Sequence, residues 1–312
     1  MSENKVYVLM VFTALFWSGA FITGKMAVAE FPPFALTFFR FLFALPFIFC
    51  LLYGREKEKW LPKGKQWIPL IILGVVGTFF YHVLFFSALR YTTAINSSLI
   101  GATNPVLTTL MAVLFFNESL TKKRVIGIIC SFSGVFLIVT NADWQLISTF
   151  SFNPGDVLMF GAVLSWAMYA LLSRSYMQKY SLSPLMVTSY TFLICVLISI
   201  PFVIGENPAA YLHKTSVHGW LSILYMSLFA SVLGYLIQLF AIEKIGAPRA
   251  AVFVNLVPIF TIIQSVFILG ESFTLFKCIG TLSIIIGVYL ATRSNTQMNG
   301  NRRGIGLKGR NN

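Results

Sequence analysis

A chain of 312 residues with 57% hydrophobic and only 11% charged residues has less than half the charge of a water-soluble domain, which is about 25% charged. That excludes a soluble enzyme of this size, and 31 phenylalanines exclude a disordered or fibrous chain. The net charge of +13 does not mark a nucleic-acid partner, because in so apolar a chain Lys and Arg mark the cytoplasmic loops of an all-α, polytopic membrane protein.

A membrane helix needs about 20 mainly apolar residues to cross ~30 Å of hydrocarbon. Ten apolar runs bounded by charges or turn residues meet or approach that length: 6–29, 33–53, 67–89, 94–116, 125–140, 155–172, 184–205, 220–242, 247–269 and 276–292. The fifth and tenth are short for a full span. The first outruns a signal-peptide core and has no A-x-A cleavage site after it, so it is expected to be retained. Barrel-type alternation is absent, and open strands cannot satisfy their backbone in lipid. Cys50, Cys130, Cys195 and Cys278 all lie in apolar runs without CxxC spacing and read as packing residues, so no disulfide, metal or cofactor is expected.

Alternating the ten spans puts eighteen of the 23 Lys and Arg on the side of the N-terminus and three (Arg90, Lys214 and Lys277) on the other, with Lys25 and Arg40 inside helices. The positive-inside rule then places both termini in the cytoplasm. The basic tail, 293–312, is Asn- and Gly-rich and reads as a disordered cytoplasmic segment able to touch anionic lipid.

Shifted by 153 residues, 67–140 aligns with 220–293 without a gap. Trp67/Trp220, Ala94/Ala247, Pro105/Pro258, Glu118/Glu271, Gly127/Gly280 and Gly134/Gly287 are identical. Upstream, Trp17 pairs with Trp166 and Lys25 with Arg174 at a shift of 149, and Phe41 with Phe192 at 151. The chain therefore divides into a five-helix repeat over 6–140 and a second over 155–292. Five is odd, so the second copy enters the membrane from the opposite side. Secondary transporters use such inverted repeats because two alike halves can exchange conformations.

The residues carrying the repeats resemble the EamA family of the drug/metabolite transporter superfamily. They are Trp17-Ser18-Gly19 with Lys25, Arg40, Asn104-Pro105, Asn117-Glu118-Ser119-Leu120-Thr121 and Gly127/Gly134, with Pro258, Gly270-Glu271-Ser272-Phe273-Thr274, Gly280 and Gly287 in the second copy. The resemblance implies a central cavity lined by helices 1, 3, 4, 6, 8 and 9, and export of small metabolites or amino-acid-like compounds. Arg40 aligns with Thr191 and Asn104 with Val257, so any role of either is one-sided.

Several residues could carry function. Lys25 and Arg40 are intramembrane charges costing ~2.5–3.5 kcal/mol each at a helix centre. They read either as outer-face anchors, snorkelling or paired with Glu30 or Asp156, or as attractors of an anionic or zwitterionic substrate or gate residues. Arg174 would be an inner anchor or the matching inner gate. Ser227, Ser231, Tyr235 and Gln238 lie on one face of helix 8, and Gly74, Thr78, His82 and Phe85 on the equivalent face of helix 3. A substrate cavity or interhelical hydrogen bonding explains such a stripe. His82 is either a proton-coupling group or a packing histidine. Asn96, Asn104, Asn255 and Gln264 add polar groups in helices 4 and 9, and Trp17, Ser18, Phe21, Trp166 and Tyr169 complete the candidate lining. Pro105 and Pro258 should kink helices 4 and 9 in mid-span. Glu118 and Glu271 read as start signals for helices 5 and 10. The small residues Cys130/Gly134 and Ser283/Gly287 permit close packing within one protomer or between two.

Gly19 to Met26 nearly matches a P-loop but lacks the closing Ser or Thr and lies inside a membrane helix. With no HExxH or GxSxG run either, the chain reads as a non-enzymatic secondary transporter, monomer or homodimer, in the plasma membrane. It moves a small metabolite, amino-acid-like compound or drug outward by alternating access, without an ATPase partner. A passive channel or facilitator is the alternative.

Overall fold

The structure, a computed structural model, describes residues 3–116, 120–149, 152–245 and 253–293. We number the spanning helices α1 to α10: Glu3–Ala27, Pro33–Glu56, Gly64–Tyr91, Ala94–Phe115, Lys122–Thr140, Pro154–Tyr180, Pro184–Gly205, Val217–Gln238 with its continuation to Ile245, Leu256–Leu269 and Leu275–Arg293. Eight are long and apolar enough to cross a membrane, and α9 and α10 are apolar but shorter in the segments that qualify. Two short helices, Trp144–Thr149 and Pro208–Leu212, lie in the connections before α6 and α8.

The helices start where short polar side chains accept the otherwise unpaired N–H of the first turn. Thr93 caps α4, Thr121 α5, Asn153 α6, Ser183 α7 and Ser216 α8. The fifth run extends back to Lys122, which gives 19 residues and a length of about 28 Å. Its extension carries Lys122 and Lys123 on the exposed side while Arg124 is buried.

Packing repeats under exchange of the two halves. Helix α1 lies against α8 and α9, and its counterpart α6 lies against α3 and α4. Helix α2 packs on its own counterpart α7, and α5 on α10. At the α5–α10 crossing the exchange holds residue by residue. Gly127 meets Gly287 while Gly134 meets Gly280, and Ser283 Oγ donates to the carbonyl of its own counterpart Cys130 at 2.8 Å. Gly127 with Gly287 and Gly134 with Gly280 can only be neighbours if the helices run antiparallel, so the two five-helix repeats are inverted. The small-residue motifs are thus used inside one chain.

Polar staples close the ends. Glu206, after α7, accepts the N–H of Phe34 (3.2 Å) and Ala35 (2.9 Å) at the start of α2. At the opposite end of the same pair, Ser183 at the start of α7 donates to Glu56 at the end of α2. Glu30 accepts from Ser216 N–H and Oγ–H, and the equivalent tie joins Gln66 Nε2 to Tyr180 O. Carboxylates suit these places because a helix N-terminus carries partial positive charge. Burial pushes the Glu206 carboxyl above its ordinary value, against the pull of Phe34 and Ala35 N–H and of Arg90. The folded pKa being raised, the stability this group contributes is full below the unfolded carboxylate value and is lost as pH rises through the raised one.

One expectation changes here. Glu271 does not start α10: its two oxygens accept Ala94 N–H (2.7 Å) and Ile95 N–H (2.9 Å), so it caps α4 across 177 residues of chain. The local start signal of α10 is Thr274, whose Oγ1 accepts Lys277 N–H. Glu118 lies outside the described residues, as do 246–252 and the tail from 294. Pro105 and Pro258 each stand just after an interruption of their helix, at 102–103 and at 255. Helix α4 breaks into Ala94–Gly101 and Asn104–Phe116, with Pro105 in the first turn of the second piece, and Pro258 is in the first turn of Leu256–Gln264. A missing N–H costs least where no intrahelical acceptor exists. Replacing Glu271 by alanine is expected to lower stability by about 1–2 kcal/mol, since two charge-assisted bonds are lost at a half-buried site. Thermal unfolding in detergent checks it, with Glu271→Gln expected to lose less.

Candidate functional site

Helices α3 and α8 both leave α-geometry in mid-span. Gly74–Phe80 and Met226–Leu233 are π-helical, and a shift of 153 superposes the two ranges to within one residue. π-Turns are rare and cluster at functional places. Their wider turns suit the steps of four between Ser227, Ser231 and Tyr235. Each widened stretch is held by the facing repeat. Trp17 Nε1 donates to Ala230 O at 3.0 Å, and Ser165, next to Trp166, donates from its hydroxyl to Val76 O. Within α3, His82 Nδ1 lies 2.7 Å from Thr78 O, so the proton on that nitrogen holds the ring in place.

At the meeting of α2, α3, α7 and α8 sits Arg40, 5% exposed. Its Nε donates to Ser231 Oγ at 3.0 Å, and its guanidinium carbon is 5.5 Å from the Phe41 ring centroid. Tyr81, His82, Tyr235 and Cys195 lie around it. Rings enclose it: His82 is edge-on to Phe41 (4.6 Å) and Tyr81 (4.7 Å), Phe41 touches Phe192 (4.5 Å), and Tyr235 is edge-on to Phe192 (5.6 Å) and Trp17 (6.2 Å). Tyr81 continues the chain of rings to Trp166 (4.9 Å), and Trp166 to Tyr169 (5.0 Å). Both repeats contribute, and among the described residues no carboxylate lies within ion-pair distance of Arg40.

Of the expected lining, Trp17, Thr78, His82, Trp166, Tyr169, Ser231 and Tyr235 converge on or beside this centre. Ser227 turns back to its own helix through Ile223 O. Gln238 is half-buried further along α8. Ser18 donates to Leu15 O and accepts from Gln264 Nε2 at 2.8 Å, tying α1 to α9. Phe21 packs edge-on against Phe85 in the apolar core. Asn96 Nδ2 reaches Asp156 Oδ2 at 3.5 Å near the helix ends, where Thr92 also donates to Asp156. Asn104 accepts from Thr108 Oγ1 at 3.4 Å, while Asn255 and Arg174 are exposed. Lys25 pairs with neither Glu30 nor Asp156: its Nζ donates to Leu89 O and Thr92 O, both at 2.7 Å, a cation on the C-terminal carbonyls of α3.

Sequence reasoning missed Tyr81, Phe41 and Phe192 as members of the centre. The Phe41/Phe192 match between repeats was the available signal for two of them. Tyr81 lies three residues after Thr78 and four before Phe85, on the face of the same stripe, so helical spacing was the signal that could have found it.

The family described as "EamA-like transporter family" matches residues 4–140 and 153–293, nearly the whole chain in two blocks. The chain belongs to that family. The EamA chain is 32% identical over 292 residues to "Uncharacterized transporter YyaM" of Bacillus subtilis (strain 168), covering 94% of this chain and 95% of the relative. It is also 32% identical over 299 residues to an "Uncharacterized transporter" of Archaeoglobus fulgidus, covering 95% and 100%. With "Protein PagO" of Salmonella typhimurium it shares 27% identity over 301 residues, covering 93% of each. A solved structure titled "Crystal structure of protein" superposes with a TM-score of 0.64 at 18% identity, covering 95% of this chain and 99% of that one, which shows the fold. This is a multi-pass membrane transporter of the drug/metabolite transporter superfamily, embedded in a lipid bilayer.

Proposed function

We propose that this transporter is a secondary active carrier of the plasma membrane, with both termini in the cytoplasm, exporting a small metabolite, amino-acid-like compound or drug by alternating access. Its working units are the repeats over 6–140 and 155–292, and the substrate binds between them beside Arg40, His82, Ser231 and Tyr235. Driving force comes from the proton gradient or from the substrate's own gradient. The observation that carries the reading is the exchange symmetry of the contacts between repeats, down to the glycine pairs of α5 and α10. The ties of Glu206 to α2 and of Glu56 to Ser183, and those of Glu30 to Ser216 and of Gln66 to Tyr180, close the two ends in matching ways, so a state open to one side implies its mirror open to the other. The paired π-segments of α3 and α8 support it, because they border the polar centre in both copies.

Topology is tested by placing single cysteines at Lys65 and at Asp143 in a background without the four native ones. A membrane-impermeant maleimide applied to intact cells is expected to label only the Asp143 position. Labelling of both from outside sinks the inverted arrangement. Transport is tested by profiling the medium of overexpressing cells against His82→Ala and Tyr235→Ala. Loss of the same exported compound in both is expected, and an unchanged profile in both removes the assigned centre. Counterflow of that compound in proteoliposomes then separates a carrier, which shows trans-acceleration, from a passive channel with unsaturable flux.

A further inference from the structure

We infer that the ligand of the repeat interface is an organic monoanion with a flat apolar body, an aromatic carboxylate rather than a zwitterionic amino acid, selected by Arg40. This rests on the transporter reading above. A guanidinium has five N–H donors and stays charged at any accessible pH. Arg40 has one hydrogen-bond acceptor among the described residues, Ser231 Oγ on Nε. Both terminal nitrogens are left without an acceptor, at a side chain 95% buried by its 5% exposure. A cation taken out of water without a counter-charge is costly and needs compensation. The carboxylates with described partners are elsewhere: Glu30, Glu56, Glu206 and Glu271 bind helix starts, Asp156 binds Thr92 and Asn96, Asp143 binds Gln145 N–H and Glu3 binds Tyr7. A carboxylate fits the two open nitrogens because the forked donors of arginine match its two oxygens.

The same inventory argues against an added ammonium. A zwitterion would bring a second positive charge beside Arg40 with no acid to receive it. Phe41 and Phe192 are fully buried behind the guanidinium, and the half-buried rings of Trp17, Tyr81 and Tyr235 offer an aromatic wall to the rest of the molecule. The guanidinium already occupies the Phe41 ring, so that face is not free for a cation. The anchor is also one-sided, since the position equivalent to Arg40 is Thr191, whose hydroxyl donates to Thr188 O. The anionic end is therefore held by α2 and the body lies toward the second repeat.

The test uses the full chain purified in detergent and three probes sharing one body: 3-phenylpropanoate, L-phenylalanine and 2-phenylethylamine. Binding is read as a saturable rise in melting temperature and as a change in tryptophan fluorescence, which Trp17 and Trp166 are placed to report. The expected result is binding of 3-phenylpropanoate about tenfold tighter, or more, than of phenylalanine, with no saturable effect of the amine. Arg40→Met is expected to abolish the propanoate effect, and Arg40→Lys to keep the preference at lower affinity. If Arg40→Met does not yield folded protein, the ranking of the probes on the unaltered chain decides, together with Arg40→Lys. Equal or tighter binding of phenylalanine, no binding of any probe, or propanoate binding unchanged in Arg40→Met overturns the proposal. Counterflow reads the carrier separately. Arg40-dependent propanoate binding without trans-acceleration keeps the anion site and removes the carrier. Trans-acceleration of phenylalanine that ignores Arg40 keeps the carrier and overturns the anion site.

Discussion

Gly134→Val is expected to abolish the folded, monodisperse protein in detergent, or to lower its stability by about 3 kcal/mol, at the upper end of what overpacking costs. A Cβ at Gly134 would lie 2.6 Å from Gly280 O and 3.0 Å from Ile284 N. These are backbone atoms of α10, which no rotamer change can clear. Relief would require α5 and α10 to separate, and the contact is repeated a few turns away, where a Cβ at Gly127 would lie 2.5 Å from Ala291 N. In lipid, association of helices depends on such close packing because the hydrocarbon gives no hydrophobic drive between them. Ile129→Val, on the exposed side of the same helix, is the control and is expected to change stability by less than about 0.5 kcal/mol. Size-exclusion profiles and thermal unfolding check both. A Gly134→Val protein as stable as the control would mean that the α5–α10 crossing is not as described. Because the stripe is consumed within one chain, the loss should not depend on protein concentration, as it would if the stripe joined two protomers.

The parts of this fold legible in the sequence are those written in local pattern. Apolar runs gave the ten spans, and Ser, Thr and Asn at their starts are the caps found for α4 to α8. The matched glycines gave α5 and α10 their importance, although not their mutual contact. Residues whose partners lie far along the chain were not legible. Glu271 reads locally as a turn residue before α10, yet its acceptor geometry serves a helix start 177 residues earlier. Lys25 offers nearby acids by position, but the C-terminal carbonyls of α3 are nearer to its amine. The π-segments have no sequence signature at all, and they alter which side chains share a face. Tyr81 is legible at i+3 of Thr78 but is passed over when the stripe is matched to helix 8, whose equivalent residue Gly234 has no side chain. Repeat symmetry, helpful for the backbone, misled for charge. Arg174 is the counterpart of Lys25 yet is exposed, because positive charge at its end of the helix needs no internal partner.

The second large effect is a size exchange between the repeats. Tyr169 of the second copy packs on Gly77 of the first, where an added Cβ would lie 2.0 Å from the Tyr169 ring and 2.6 Å from the Tyr169 Cβ. The exchanged positions hold Ala20 in the first copy and Ala230 in the second, both buried. One interface is built from large against nothing, the other from small against small. Gly77→Ala is therefore expected to destabilise by about 1–3 kcal/mol, since the clash reaches the stem of Tyr169 and cannot be cleared by its ring tip alone. Tyr169→Ala empties a side chain from the aromatic run joined to Trp166 and is expected to cost about 3 kcal/mol or more. The double variant rebuilds the alanine pair of the exchanged interface. It is expected to be more stable than the two single losses add up to, with a coupling of about 1–3 kcal/mol in its favour. Melting temperatures of the four proteins give that coupling directly. Additive losses would mean that Gly77 and Tyr169 do not share one space, and the claim that the repeats exchange bulk across equivalent positions would fall with them. Transport should follow a different order. The double variant recovers packing but not the ring beside Trp166, so its counterflow rate is expected to stay well below that of the unaltered chain even where its stability returns.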